Sequence, residues 1–176
     1  MNPSWCLHTG RLVMRPVWGG DLADLRALKA DPLAFAVMLG GVRSWQRTAE
    51  ELADDICFWG RHGVGMWTVR DRATDAFRGI AGIMLRPDGR GMALRFALLP
   101  AWQGRGYASE ATAAALRFAH ERAGIERIVA VARETNLASR QVLGGIGMVV
   151  CDSFPRAGEQ MLVYESVRRR MAGQKA

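Results

Sequence analysis

Cysteine, lysine and long apolar runs are what this 176-residue chain has least of. Its three cysteines, Cys6, Cys57 and Cys151, are an odd and scattered set, which excludes a disulfide framework. Cys6 and His8 lie close together, but no second pair offers the spacing of a zinc site, so no metal is expected. No apolar run is long enough to span a bilayer, and the N-terminus lacks the basic-then-apolar order of a signal peptide. A cytoplasmic protein without a membrane partner is the expectation. Lysine occurs only at Lys29 and Lys175, so the formal charge of +7 is carried by arginine. Those arginines are spread along the chain, apart from a cluster at Arg168, Arg169 and Arg170, and no basic stripe interleaves with stacking aromatics. Direct nucleic-acid binding is therefore not expected. A solvated basic tail on an arginine-biased protein accounts for the charge, with an anionic cofactor or an acidic or ribonucleoprotein partner as the alternative.

No internal repeat or low-complexity linker divides the chain, and its length suits one domain over 1–170 with a short basic tail at 171–176. With 49% apolar and 23% charged residues, the composition is that of a soluble globular protein. "RLVMRP" (11–16) reads as a strand ended by proline. Leu22, Leu25 and Leu28 have helical spacing, with Asp21 placed as cap and Pro32 beyond the end. "SWQRTAEELADDICFWGRHG" reads as a second helix: Ser44 or Thr48 can cap it, Glu51 completes a Thr-x-x-Glu box, and Gly60 and Gly63 close it. "GMWTVRD", "FRGIAGIML" and "MALRFALL" read as strands, the last two joined through the hairpin chemistry of "RPDGRG". An alanine-rich helix over 109–122 ends before Gly124, "RIVAVA" is a strand, "NLASRQVLGGIG" a short helix, and two strands close the chain. That order gives an α/β (α+β) domain whose sheet has mixed strand directions. Trp45, Phe58, Trp59 and Trp67 fit core positions better than an acceptor pocket, and neither His62 nor His120 is placed as a catalyst.

"LLPAWQGRGYASEA" (98–111) carries more small, flexible backbone than a turn requires. A strand delivers the chain to Gln103, Gly104, Arg105, Gly106, Tyr107 and Ala108, and a helix begins at once. The first N–H groups of a helix have no partner and its dipole is positive there, so this is an anion site. Glycine removes the β-carbon that would hold a phosphate off the main chain. A Walker loop is excluded because Gly-Lys-Ser/Thr is absent, and a dinucleotide fingerprint would want glycine where Ser109 stands.

Gln103-x-x-Gly106-x-Ala108 resembles the Gln/Arg-x-x-Gly-x-Gly/Ala signature of the GNAT superfamily of acyl-CoA N-acyltransferases. "RLVMRP" with Asp21 and Asp31-Pro32, "YASEA", and "NLASRQVLGGIGM" resemble the Rim-type branch, which includes acetyltransferases for ribosomal-protein N-termini. The resemblance implies a central sheet, mostly antiparallel and flanked by helices, that splays apart near Leu99 and Ala132 to admit acetyl-CoA. It places the pyrophosphate on the backbone of Gly104, Arg105, Gly106, Tyr107 and Ala108, and the thioester carbonyl near the main-chain N–H of Leu98. Asn136 would bond the cofactor's amide arm or cap a helix, and Ser139 would protonate the departing thiolate. Members that place a tyrosine acid do so at the position of Leu143, which cannot donate a proton.

The clearest departure from that pattern concerns the base. Related Rim-type sequences often carry a glutamate near the position of Ala93, yet no carboxylate lies over 92–99. Glu110, Glu134, Asp152 and Glu165 are unranked candidates, Glu110 having a competing role at a helix start. Arg95 shares a strand face with Ala93 and either meets solvent or reaches the acceptor pocket. The expected activity is acetyl transfer from acetyl-CoA to a primary amine by direct attack, favouring a protein or peptide N-terminus or another amine of low pKa. A ribosomal protein as acceptor, a small amine or antibiotic as acceptor, a homodimeric state, and an acyl-CoA-binding module without catalysis remain open alternatives.

Overall fold

The computed structural model describes residues 2–168; Arg169, Arg170 and the tail at 171–176 lie outside them. Eight strands form one open sheet: β1 (Leu7–His8), β2 (Leu12–Pro16), β3 (Met66–Asp71), β4 (Phe77–Leu85), β5 (Met92–Leu98), β6 (Arg127–Arg133), β7 (Val149–Arg156) and β8 (Glu159–Val167). Their order is β1-β2-β3-β4-β5-β6-β8-β7. All neighbours are antiparallel except β5 and β6. Five helices flank the sheet: α1 (Leu22–Ala30), α2 (Pro32–Phe35), α3 (Trp45–His62), α4 (Tyr107–Glu121) and α5 (Leu137–Gly145). The α/β domain with a mixed, mostly antiparallel sheet that the sequence implies is the one observed. Its one parallel pair follows from α4, since strands joined through a crossover helix run the same way.

Alternation buries Leu12, Met14 and Pro16 of β2, while α1 buries Leu25 and Leu28. Burial of each such side chain contributes about 1.5–3 kcal/mol. Ala111, Ala115 and Ala119 recur every fourth residue along α4 and are wholly buried, so small side chains let this helix lie close on the sheet. Trp59 and Trp67 are core, as expected, with ring centroids 4.7 Å apart and edge to face. Their indole N–H groups donate to the carbonyls of Met66 (2.8 Å) and Trp5 (2.7 Å). Trp45 departs from that expectation: it is exposed, with the Arg26 guanidinium 3.9 Å above its ring. His120 bridges Ile125 O and Ser166 Oγ, a tie between α4 and β8.

Several local expectations are corrected by competing partners. Asp21 does not cap α1; its carboxylate accepts from Trp18 N and pairs with Arg70 Nη2 at 3.2 Å. Pro32 does more than follow α1, because Asp31 caps a new short helix with proline at its first position. Ser44, not Thr48, caps α3 by accepting from Arg47 N, and Gly60 lies inside that helix while Gly63 ends it at φ +63°. Helix α4 starts at Tyr107, two residues before the predicted position.

The Thr48–Glu51 box does not form because Glu51 has stronger partners. It accepts from Lys29 Nζ at 2.8 Å and Arg43 Nε at 2.6 Å, and Arg95 Nη2 lies 3.8 Å away. Lys29 is 1% exposed, so its ammonium depends on that carboxylate for compensation. Burial pushes the Glu51 carboxyl up, but the hydrogen bonds from Lys29 and Arg43 and the charge of Arg95 outweigh it and hold it at about 2. One helical turn on, burial pushes Asp55 up to about 6, against the pull of Lys29 and Arg95. Folding therefore favours the protonated form of Asp55, and stability is lost as pH rises from its unfolded value of 3.8 through about 6. Asp55→Asn is expected to raise the thermal midpoint at pH 8 and to leave it unchanged near pH 3.5; a variant equally stabilised at both would show that the ionised carboxylate is not the cause.

Candidate functional site

β5 and β6 are in register only at Ala93↔Val129, and beyond that pair the two strands separate. Leu99 N donates to Arg78 O on the β4 side. By the alternation of an antiparallel ladder, the N–H groups of Phe96 and Leu98 then point the other way, toward the gap beside β6. The sheet thus presents unpaired main-chain donors on a cleft wall.

At the end of β5 a short 3-10 turn (Pro100–Trp102) leads to Gln103, Gly104, Arg105 and Gly106. Gly106 is the N-cap of α4 at φ +78° and supplies no capping side chain, and Gly104 sits at φ +70°. Both conformations favour glycine. The first intrahelical bond runs from Glu110 N to Gly106 O, which leaves the N–H groups of Tyr107, Ala108 and Ser109 without helical partners. A β-carbon at Gly104 would meet nothing within 4 Å, so backbone is accessible there.

The loop is held from the opposite side. Gln103 Nε2 donates to Leu98 O at 3.0 Å, and Arg11 Nη1 donates to Arg105 O at 3.0 Å. The Arg78 guanidinium lies 3.2 Å from the Trp102 ring centroid and pairs with Asp71. The Tyr107 ring packs edge-on against Trp102, with Arg11 4.3 Å above it. The side chains of Arg105 and Tyr107 accordingly line neither cavity of the site, whereas Leu98, Gln103, Gly104, Gly106 and Ala108 line a cavity of about 570 Å³. Asn136 and Ser139 close it from the facing side. Asn136 caps α5, its Oδ1 accepting from Ser139 N at 3.1 Å, and the Ser139 hydroxyl has no partner among the described residues. Leu143 is 1% exposed beneath them.

A second cavity of about 420 Å³ adjoins the first, and Phe96, Arg133, Asn136 and Ser139 line both. Arg95 lines it and is largely withdrawn from solvent, its side chain 15% exposed. Glu51, Arg43 and Arg47 share that wall, and Glu159 faces it while holding Arg133 through contacts of 2.9 and 3.0 Å. Glu51 was not singled out by sequence as a site residue. The available signal was Lys29, four residues after Leu25 and so on the buried stripe of α1, where a lysine requires an acidic partner.

None of the four carboxylates considered as bases lines either cavity. Glu110 accepts from Thr9 Oγ1 and from Arg11 N and Nε, which outweigh its burial and lower its pKa. Asp152 pairs with Arg90 and Glu165 with Arg127, while Glu134 is exposed. Glu51, held at about 2, is ionised but too weak a base to deprotonate an ammonium group. Asp55 lines neither cavity. Among the described residues no cluster has the composition of a metal site, and no helix is long and apolar enough to cross a membrane.

Three solved structures illustrate the likeness of the whole fold. An acetyltransferase from Agrobacterium tumefaciens is 28% identical, with a TM-score of 0.80, covering 92% of this chain and 93% of the other. A GNAT-family acetyltransferase from Bacillus anthracis is 19% identical, with a TM-score of 0.79 and coverage of 93% and 98%. RimL, a ribosomal L7/L12 alpha-N-protein acetyltransferase in complex with coenzyme A, is 18% identical, with a TM-score of 0.77 and coverage of 90% and 95%. The last two identities speak for the fold alone. The family model of the acetyltransferase (GNAT) domain matches residues 11–149, and it spans the glycine loop, the splayed strands and α5. The chain therefore belongs to the GNAT acetyltransferases, enzymes whose acyl donor is acetyl-CoA.

Proposed function

We propose that this enzyme acetylates primary amines of low pKa, a protein or peptide N-terminus above all, by direct attack without a covalent enzyme intermediate. The observation that carries this reading is the meeting of two cavities at Asn136 and Ser139, one opening on the glycine loop and one whose two carboxylates, Glu51 and Glu159, are both already paired with cations. The likeness to an alpha-N-protein acetyltransferase is in keeping with it.

When bound, acetyl-CoA supplies an acetyl group activated as a thioester. The backbone N–H groups from Gly104 to Ala108 would bond its pyrophosphate, with the α4 dipole adding to the attraction. The Leu98 N–H would hold negative charge developing on the carbonyl oxygen. Asn136 would offer its amide N–H to the cofactor's arm while its oxygen caps α5. As the carbon–nitrogen bond forms and the carbon–sulfur bond breaks, the Ser139 hydroxyl proton passes to the sulfur and the proton lost by the amine returns through water to Ser139 Oγ, so the serine ends as it began. Cys6, Cys57 and Cys151 line neither cavity, consistent with transfer that needs no acyl-cysteine.

Gly106→Val would impose a branched side chain at φ +78° where phosphate approaches. It is expected to weaken acetyl-CoA binding by at least tenfold, about 1.4 kcal/mol. Calorimetry on the folded variant checks this, and unchanged affinity would remove the loop from the binding site. Ser139→Ala is expected to lower kcat with little effect on acetyl-CoA affinity; full turnover would take the serine out of the mechanism.

The missing base sets the third expectation. An α-amine of pKa about 7.8 is about 14% neutral at pH 7, against about 0.04% for a lysine side chain of pKa about 10.4. Without a base, that difference of roughly 350-fold, about 3.5 kcal/mol, falls on the acceptor itself. A peptide with a free N-terminus should be acetylated far faster than the same peptide blocked there and carrying one lysine. Equal rates at pH 7 would reveal a base in the acceptor pocket.

A further inference from the structure

Six arginines line the 420 Å³ cavity, Arg43, Arg47, Arg86, Arg95, Arg133 and Arg156, against two carboxylates. Those carboxylates are already engaged. Glu159 is held by both forks of Arg133, and Glu51 by Lys29 and Arg43. Arg95 has only the fourth and most distant claim on Glu51, at 3.8 Å against 3.4 Å for Arg47, and its Nη2 is buried without a hydrogen-bond partner. Its Nη1 contacts only the sulfur of Met84, at 3.9 Å. A guanidinium left with a thioether, the Phe35 ring at 5.3 Å and a distant, shared carboxylate has hydrogen-bonding capacity that the fold does not use. Arg156, at the exposed end of the β7–β8 hairpin, adds a cation with no ion pair among the described residues.

The donor's phosphates do not account for this excess. Of the six arginines only Arg133 also lines the cavity beside the glycine loop, and Arg133 is neutralised by Glu159. Arg86 is held by Asp88 and Arg47 by Glu50 and Glu51. The unneutralised charge is therefore that of Arg95 and Arg156, on the other side of Asn136 and Ser139, where the amine would approach. Resting on the acetyltransferase reading above, we propose that the acceptor is an amine carrying a carboxylate close to its nitrogen, with Arg95 the residue that recognises it. The amine would sit at the junction of the cavities and the carboxylate would complete the coordination of Arg95 that Glu51 leaves unfinished. Two sources supply such a group: a free acidic amino acid, or a polypeptide with acidic residues just after its N-terminus.

The test measures thiol release from saturating acetyl-CoA with three peptides that begin with alanine and continue with two glutamates, two glutamines or two lysines. Free glutamate forms a fourth arm and distinguishes the two sources. The acidic peptide, free glutamate or both should show kcat/KM at least about tenfold above the glutamine peptide, with the lysine peptide slowest. Arg95→Met should lower kcat/KM for the acidic peptide by at least about fivefold and cut its advantage over the glutamine peptide, measured in the same variant, to about twofold or less. Binding of the acetylated acidic product, read by calorimetry without turnover, should weaken in parallel. Acceptor rates that do not depend on charge in the unaltered enzyme would overturn this proposal and leave amine acetylation standing. Thiol release with none of a broad amine panel would overturn the acetyltransferase reading itself.

Discussion

The single registered pair between β5 and β6, Ala93↔Val129, is the constraint on which the rest of this site depends. Parallel strands joined through α4 must lie side by side, yet pairing along their whole length would close the cleft. Separation beyond Ala93 frees the donors of Phe96 and Leu98 and makes room for α5 to stand opposite. It also exposes the start of α4, where a helix with no capping side chain offers three N–H groups. Such unmade hydrogen bonds are costly when buried, which is why they face a cavity instead of packed core.

Keeping that loop open requires support from behind. Arg11 ties the strand β2 to both Glu110 and the Arg105 carbonyl, and Arg78 lies flat beneath Trp102. Arg105 and Tyr107 resemble ligand-binding residues in sequence, but their side chains belong to this support and neither residue lines a cavity. A similar division holds at the other cavity. Lys29 and Arg43 use up the basicity of Glu51, so its carboxylate acts as a fixed negative centre around which cations are arranged.

Legibility in the sequence followed the range of the interactions. Strand alternation, the β4–β5 hairpin and the alanine stripe of α4 are local patterns and were readable directly. So was the glycine loop, because positive φ at Gly104 and Gly106 is a requirement that only residue type can meet cheaply. Asp21 and Glu51 depart from the local capping rules they fit for one shared reason: a guanidinium or ammonium distant in sequence holds the carboxylate. Thr48 yields the cap to Ser44, whose hydroxyl accepts from Arg47 N. For Arg95, alternation gives a strand face and says nothing of what covers it.

On the proposed reading, the absent base and the surplus of arginine are two aspects of one arrangement. A cationic wall disfavours a nearby ammonium and so lowers the pKa of the amine that must attack. A protein that used only this effect would also repel its acceptor, since most of it arrives protonated. A carboxylate on the acceptor removes that conflict: it is drawn to Arg95, while the amine is placed among the remaining positive charge and away from any uncommitted carboxylate of the enzyme. The requirement that Glu51 stay ionised but uncompetitive then follows. A free glutamate on this wall would offer the acceptor's ammonium an ion pair and raise its pKa. Lys29, buried at 1% exposure and bonded to Glu51, prevents that by saturating the carboxylate from inside the core.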